Sequence, residues 1–248
     1  MSYRQICRLA SLTALAMACT ACGTTGSASS AERNPDPFEK VNRAIYRFNE
    51  TADRYVARPA AKAYRATTPE ALRKGIGNFF ANARYPITIV NDLLQGKLRQ
   101  GGADLGRFLM NTTVGLGGLF DPATEAGLEQ HDEDFGETLA VWGVPQGPYL
   151  MVPVFGPYTV ASGIGDLVGA PANAINWNPD TDQVTLTWAG YLLHRRSTLI
   201  GIDEEVDQAF DPYLFVRDAY LQNRQYKILD GAVPEEELLP EDEFGGED

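Results

Sequence analysis

Residues 133–165 read EDFGETLAVWGVPQGPYLMVPVFGPYTVASGIG, and from Thr138 to Gly165 there is no Asp, Glu, Lys or Arg. Loops rich in Gly and Pro are normally polar because their backbone needs water. Charge-free apolar runs are normally helices or strands that satisfy their own backbone. Here the two signatures coincide. Pro145, Pro148, Pro153 and Pro157 interrupt any helix long enough to cross a bilayer, which excludes a simple transmembrane span through this segment. Two settings stay open: non-helical backbone at membrane depth, packed on protein or lining a cavity, and a loop in the core of a soluble domain. In the first setting Tyr149, Leu150, Met151, Val152, Val154 and Phe155 offer contacts for acyl chains, with Met151 adding adaptability. Asp166, the single charge between Glu137 and Asp180, would orient a polar headgroup or pair with an arginine.

Outward from this segment the chain reads as mainly helical. Asp36-Pro37, Thr68-Pro69, Asp121-Pro122, Asn178-Pro179 and Asp211-Pro212 each place a capping residue before a proline, the signature of a helix start. In the first helix Asp36 and Glu39 form a capping-box-like pair. Phe38, Val41, Ile45, Phe48 and Tyr55 recur at helical spacing on one face over about five turns. A second helix is expected from Pro69 to about Asn82. After Tyr85-Pro86, Ile87, Val90 and Leu94 repeat the period, and a further helix follows over about 102–111. The stretch NTTVGLGGLFDP (111–122) lacks both the G-K-[ST] of a phosphate loop and the G-x-G-x-x-G of a dinucleotide site, so its glycines serve a tight turn or a close helix approach. The β-prone YLMV permits a short hairpin within 148–155. Helices are then expected over about 180–194, 196–210 and 212–229.

The N-terminus MSYRQICRLASLTALAMACTAC has a basic start, a charge-free apolar run and small residues leading into cysteine, which is a secretory leader. Leu15 to Cys19 resembles a lipoprotein lipobox, making Cys19 the expected lipidation site, with Cys22 as the rival and a plain signal cleaved after an alanine as the alternative. Thr20 rather than Asp after Cys19 points to the outer membrane. On this reading 1–18 is the signal peptide, 19–34 a lipidated flexible linker, 35–231 one helical domain and 232–248 an acidic disordered tail. No cysteine follows Cys22, which removes thiolate metal sites and a cysteine nucleophile together. Beyond the linker the serines are Ser162 and Ser197, neither in a G-x-S-x-G elbow, and the histidines His131 and His194 have no zinc-binding spacing. Neither a metal nor a cofactor is expected. Residues 33–107 carry 14 basic and 7 acidic residues, whereas 108–248 carry 5 basic and 25 acidic, so the two halves face different partners. The basic half suits phosphate headgroups or, equally, solvated helix faces with the i,i+4 pairs Glu39/Arg43 and Glu50/Arg54. Export and overall acidity argue against nucleic acid.

Six blocks in order, DPFEKVNRAIYRFNE (36–50), NFFAN (78–82), LLQGK (93–97), RFLMNTTVGLGGLFDPA (107–123), EDFGETLAVWGVPQGPYLMVPVFGP (133–157) and DPYLFVRDAYLQNR (211–224), resemble the MlaA (VacJ) family of outer-membrane phospholipid-transport lipoproteins. The resemblance implies an all-α, ring-shaped, membrane-embedded domain whose amphipathic channel removes phospholipids misplaced in the outer leaflet. It also implies transfer to the soluble periplasmic carrier MlaC and association with a trimeric porin. The same block places Asn42, Phe48 and Asn49 where they would help to set the closed state of the channel; the plainer alternative makes Phe48 core and the asparagines surface. One departure is visible: the family commonly has Ser and then Arg-Asp after Gly156-Pro157, where this chain reads Tyr158 to Ser162. Two competing functions remain, a phospholipase-like enzyme and a structural envelope tether.

Overall fold

The computed structural model describes residues 35–232. Cys19, Cys22, the leader, the linker and the acidic tail from residue 233 lie outside the described residues. Helix α1 (Glu39–Ala52) passes through one π turn at Asp53–Ala57 into α2 (Arg58–Thr67). The chain continues with α3 (Glu70–Leu94), α4 (Leu98–Thr113), the short α5 (Pro122–Glu125) and α6 (Phe135–Val141). Strands β1 (Tyr149–Val152) and β2 (Gly156–Thr159) form an antiparallel hairpin with Tyr149 opposite Thr159 and Val152 opposite Gly156. Then come α7 (Val160–Gly169), two 3-10 turns, α8 (Thr181–Thr198), a 3-10 turn, α9 (Asp203–Gln208) and α10 (Pro212–Ile228). The fold is therefore mainly helical with one short hairpin, as the sequence led us to expect.

Several boundaries differ, each for a physical reason. Pro86 does not end a helix: α3 runs through it without a break, packed along its length against α4, and the cost is one missing N–H in the ladder. Asp36 and Glu39 do not form a capping box. Asp36 is drawn inside to accept from Asn42 and the Tyr213 hydroxyl, while Glu39 accepts from Arg43 at 2.7 Å. Asp121 and Asp211 do cap α5 and α10 ahead of their prolines, but α8 is capped by Asp180, with Asn178 bonding the Asp180 amide instead. The helix expected over 196–210 is split, since α8 carries on to Thr198 and a 3-10 turn precedes α9. The charge-free segment is only partly non-helical, because α6 and α7 take its two ends.

Two close approaches use glycine. At Gly118, φ is +91° and an added Cβ would lie 2.4 Å from the Asn82 side chain, which brings the 115–118 turn onto α3. Where α6 meets α7, a Cβ on Gly165 would sit 2.5 Å from the Gly136 amide nitrogen, so the two helices touch backbone to backbone.

The polarity of the interior is reversed from that of a soluble domain. Among the described residues ten hydrophobic ones are buried but 17 polar or charged ones are, including Asn42, Asp92, Asp104, Arg107 and Glu137. Most of the apolar stripe read along the first helix points outward, with Phe38, Val41, Phe48 and Tyr55 exposed, while Ile45 turns in against the cluster of Tyr149, Met151 and Tyr213. Buried charge is tolerated because it is bonded: Arg107 donates to the Tyr85 hydroxyl at 2.6 Å, to both Asp121 oxygens at 3.1 Å and to the Leu128 carbonyl. The basic and acidic halves also neutralise one another, through Arg43–Asp211 at 2.8 Å and Arg58–Asp207 at 2.7 Å. A polar interior with an apolar exterior is the arrangement expected of a protein whose surroundings are apolar. No helix among the described residues is long and apolar enough to cross a membrane.

Candidate functional site

The site is built around the hairpin. Among the described residues its outer edge has no third strand; the Pro35 carbonyl accepts from the Tyr149 amide at 2.8 Å, and two asparagines of α1, seven residues apart and so on one helix face, hold the rest of the edge. Asn42 donates to the Tyr149 carbonyl at 3.1 Å and accepts from the Met151 amide at 2.9 Å, while its amide also donates to Asp36 at 2.7 Å. Asn49 donates to the Val152 carbonyl at 2.9 Å and accepts from the Val154 amide at 2.8 Å. These carboxamides copy the donor and acceptor spacing of a neighbouring strand. The second clamp holds a strained turn, since Val154 has φ of +70°, rare for a β-branched residue. Phe48 lies on the outward face and is neither core nor in the clamp.

The strand alternation divides the six residues expected to meet lipid. Tyr149 and Met151 are buried against Tyr213 of α10, and so belong to the core. Leu150 and Val152 face a cavity of about 560 Å³, together with Phe155, Val160, Ile164, Trp188 and Leu192, a mostly apolar lining. Val154 is exposed at the hairpin tip. A second cavity of about 500 Å³ is lined by Arg84, Asp132, Asp134, Arg195, Arg224 and Lys227, with the hydroxyls of Tyr158, Tyr191 and Tyr220. Arg84, Asp134, Phe155, Tyr158, Asp166, Tyr191 and Arg195 line both spaces. The two cavities are thus compartments of one amphipathic space with a common wall. Asp166 stands in that wall, accepting from the Tyr158 hydroxyl at 3.0 Å and, among the described residues, forming no ion pair with an arginine.

Charge in the polar compartment is closely balanced. Arg84 reaches Asp132 at 3.3 Å, Lys227 reaches Asp132 at 2.9 Å, and Arg224 grips Asp134 through both terminal guanidinium nitrogens at 2.5 and 2.9 Å. Burial opposes ionisation of Asp132, but Arg84 and Lys227 outweigh it and hold its carboxyl down at about 2. Glu137, buried beside this cluster, goes the other way: burial and then the Asp134 charge push it up to about 8, against the pull of Lys227 and Arg224. His194 is lowered by burial and lies 3.3 Å from the Tyr64 hydroxyl, whereas His131 contacts Asp104 at 3.0 Å. Ser162 is occupied as half of the capping box that starts α7, bonded to Thr159 and 2.8 Å from the Tyr220 hydroxyl. Ser197 donates to the His194 carbonyl at 2.6 Å. Neither serine hydroxyl meets a histidine ring, the pairing a serine nucleophile needs.

The residues singled out from the sequence lie on the hairpin side and at Asp166; the wall opposite was not among them. Trp188, Tyr191, Leu192 and Arg195 share one face of α8, at spacings of three and four. That periodicity was available, yet it is indistinguishable from an ordinary core stripe.

Residues 34–227 match the MlaA lipoprotein family. The chain belongs to that family. Relatives of MlaA type include the intermembrane phospholipid transport system lipoprotein MlaA of Escherichia coli strain K12, 34% identical over 238 residues that cover 91% of this chain and 92% of that one. The protein of the same name from Haemophilus influenzae is 33% identical over 242 residues, covering 93% and 95%. A solved structure described as the "Structural basis for maintenance of bacterial outer membrane lipid asymmetry" superposes with a TM-score of 0.71 at 33% identity, over 78% of this chain and 98% of that one. As an MlaA-family chain it carries the amphipathic space in a fold shared across nearly the whole of that solved chain.

Proposed function

We propose that this chain is an outer-membrane lipoprotein that takes phospholipids mislocalised in the outer leaflet through its amphipathic cavity, and so maintains lipid asymmetry. One observation carries the reading: an apolar and a polar compartment share a wall, which matches a molecule with acyl chains at one end and a charged headgroup at the other. The outward stripe of Phe38, Val41, Phe48 and Tyr55 supports embedding in a leaflet, with the domain ringed around the cavity. Leu150, Val152 and Phe155 meet the acyl chains, Val154 rides at the hairpin tip, and Tyr149 and Met151 support them from behind. Asn42 and Asn49 set the closed state by fixing the hairpin, and Phe48 anchors the same helix in lipid. Cys19, in preference to Cys22, carries the acyl anchor. The periplasmic carrier MlaC receives the lipid, and a trimeric porin holds the protein in place, as the family resemblance implies.

Transport of this kind needs no chemistry. The decisive experiment reconstitutes the mature protein with labelled phospholipid and a periplasmic acceptor, beside a variant with Ser162, Ser197, His131 and His194 all replaced by Ala. Both should redistribute lipid without releasing lysolipid or fatty acid. Cleaved lipid accumulating beyond the amount of protein, and abolished in the quadruple variant, would replace the conduit by a phospholipase.

A further inference from the structure

We propose that Arg195 is the group that receives the lipid phosphate. The inference rests on the conduit reading and names the recognition element within it.

Three observations converge on this side chain. The first is position: Arg195 lines both compartments, where the polar and apolar linings meet. In a glycerophospholipid the phosphate occupies the corresponding place, between the acylated glycerol and the rest of the headgroup. The second is availability. The other cations of the polar compartment are already satisfied, Arg84 and Lys227 by Asp132, and Arg224 by Asp134 and Glu137. Arg195 is exposed to the space; its carbonyl accepts from the Thr198 hydroxyl at 2.7 Å, but among the described residues its guanidinium makes no hydrogen bond or ion pair. Asp166 in the same wall does not engage it and is held by the Tyr158 hydroxyl at 3.0 Å. The third is chemistry, because a guanidinium offers a planar fork of donors that binds phosphate oxygens in pairs, and an unpaired one beside an apolar lining attracts an anion more strongly than it would in bulk water.

A cation at this place has one competing role, at the end of the helix. Arg195 lies in the last turn of α8, where positive charge complements unsatisfied carbonyls. A residue kept for that purpose would affect stability and leave lipid selectivity alone, so the test reads selectivity.

The purified mature lipoprotein in detergent is offered equal amounts of dioleoyl phosphatidylethanolamine and dioleoylglycerol, which differ by the phosphate-bearing headgroup. Bound lipid is then counted by mass spectrometry. Wild type should favour the phospholipid. Arg195→Gln should lower bound phospholipid about tenfold at subsaturating lipid, with dioleoylglycerol unchanged, and Arg195→Lys should recover most of the loss. Excess inorganic phosphate should leave the bound phospholipid in place. An unchanged preference in Arg195→Gln would overturn the assignment, as would an equal loss of both lipids that Arg195→Lys does not restore. Displacement by inorganic phosphate would likewise overturn it, in favour of a simple anion site. Should wild type retain neither lipid, the conduit reading itself would fall, a result distinct from each of these.

Discussion

Replacing Asn42 by Ala tests whether the hairpin is held by side chains of α1. The change removes three buried hydrogen bonds at 2.7, 2.9 and 3.1 Å. Asp36 keeps the Tyr213 hydroxyl, so most of the damage falls on the backbone: the Met151 amide and the Tyr149 carbonyl lose their Asn42 partner beside a fully buried tyrosine. At about 1–3 kcal/mol for each buried group left without a partner, the expected loss is roughly 3–5 kcal/mol. Asn49→Ala removes two bonds at the half-open turn, where water can substitute, and should cost only about 1 kcal/mol. Urea unfolding of the detergent-solubilised protein, followed by tryptophan fluorescence, measures both. If Asn42→Ala and Asn49→Ala cost the same and each less than about 1 kcal/mol, the carboxamides do not hold the strand and the account of the hairpin is wrong.

Three further outcomes are expected. Val152→Lys places an ammonium in the apolar compartment, at a cost of about 2.5–3.5 kcal/mol at bilayer-centre polarity and less if the chain snorkels out; retained phospholipid should fall, and unchanged retention would place Val152 off the lipid path. Gly165→Ala forces a methyl to within 2.5 Å of the Gly136 nitrogen, so α6 and α7 must separate, and a drop in stability of about 1–3 kcal/mol should appear in thermal unfolding. Asp92 is buried, and its carboxyl is pushed from 3.8 up to about 7, by burial first and then by the Asp104 charge. The native state therefore holds a proton that the unfolded chain has released, and the stability this contributes at low pH is lost as pH rises towards 7. Asp92→Asn fixes the neutral form and should flatten that decline in unfolding free energy between pH 4 and pH 7; an unaltered profile would remove Asp92 as its source.

Helix content, the starts capped by Asp121 and Asp211, and the first hairpin strand were legible because local rules govern them. The second strand lay outside the expected bounds: Gly156 and Pro157 signal turns on their own, and only pairing with Tyr149–Val152 makes strand of them. The stripe of Phe38, Val41, Ile45, Phe48 and Tyr55 was recognised as a face, but period alone does not say whether a face looks inward; here all but Ile45 are exposed, and the buried side of α1 is marked by Asn42. Pro86 misled because the break it signals was overridden by packing between α3 and α4. In the site, Leu150, Val152 and Asp166, expected to meet lipid, line the cavities, whereas Arg84, Asp132 and Lys227 became visible only when distant segments met in space. Ion pairs such as Lys227–Asp132 join residues nearly a hundred positions apart, and no window of sequence contains them.

The two asparagines also limit how the cavity can open. Because β1 is latched to α1 at two points a pair of helical turns apart, the strand cannot slide by one residue without releasing both latches, nor tilt about one of them without releasing the other. Leu150 and Val152 therefore travel with α1 as one rigid jamb. Whatever widens the entrance must be the leaf that faces it, formed by α7 and α8.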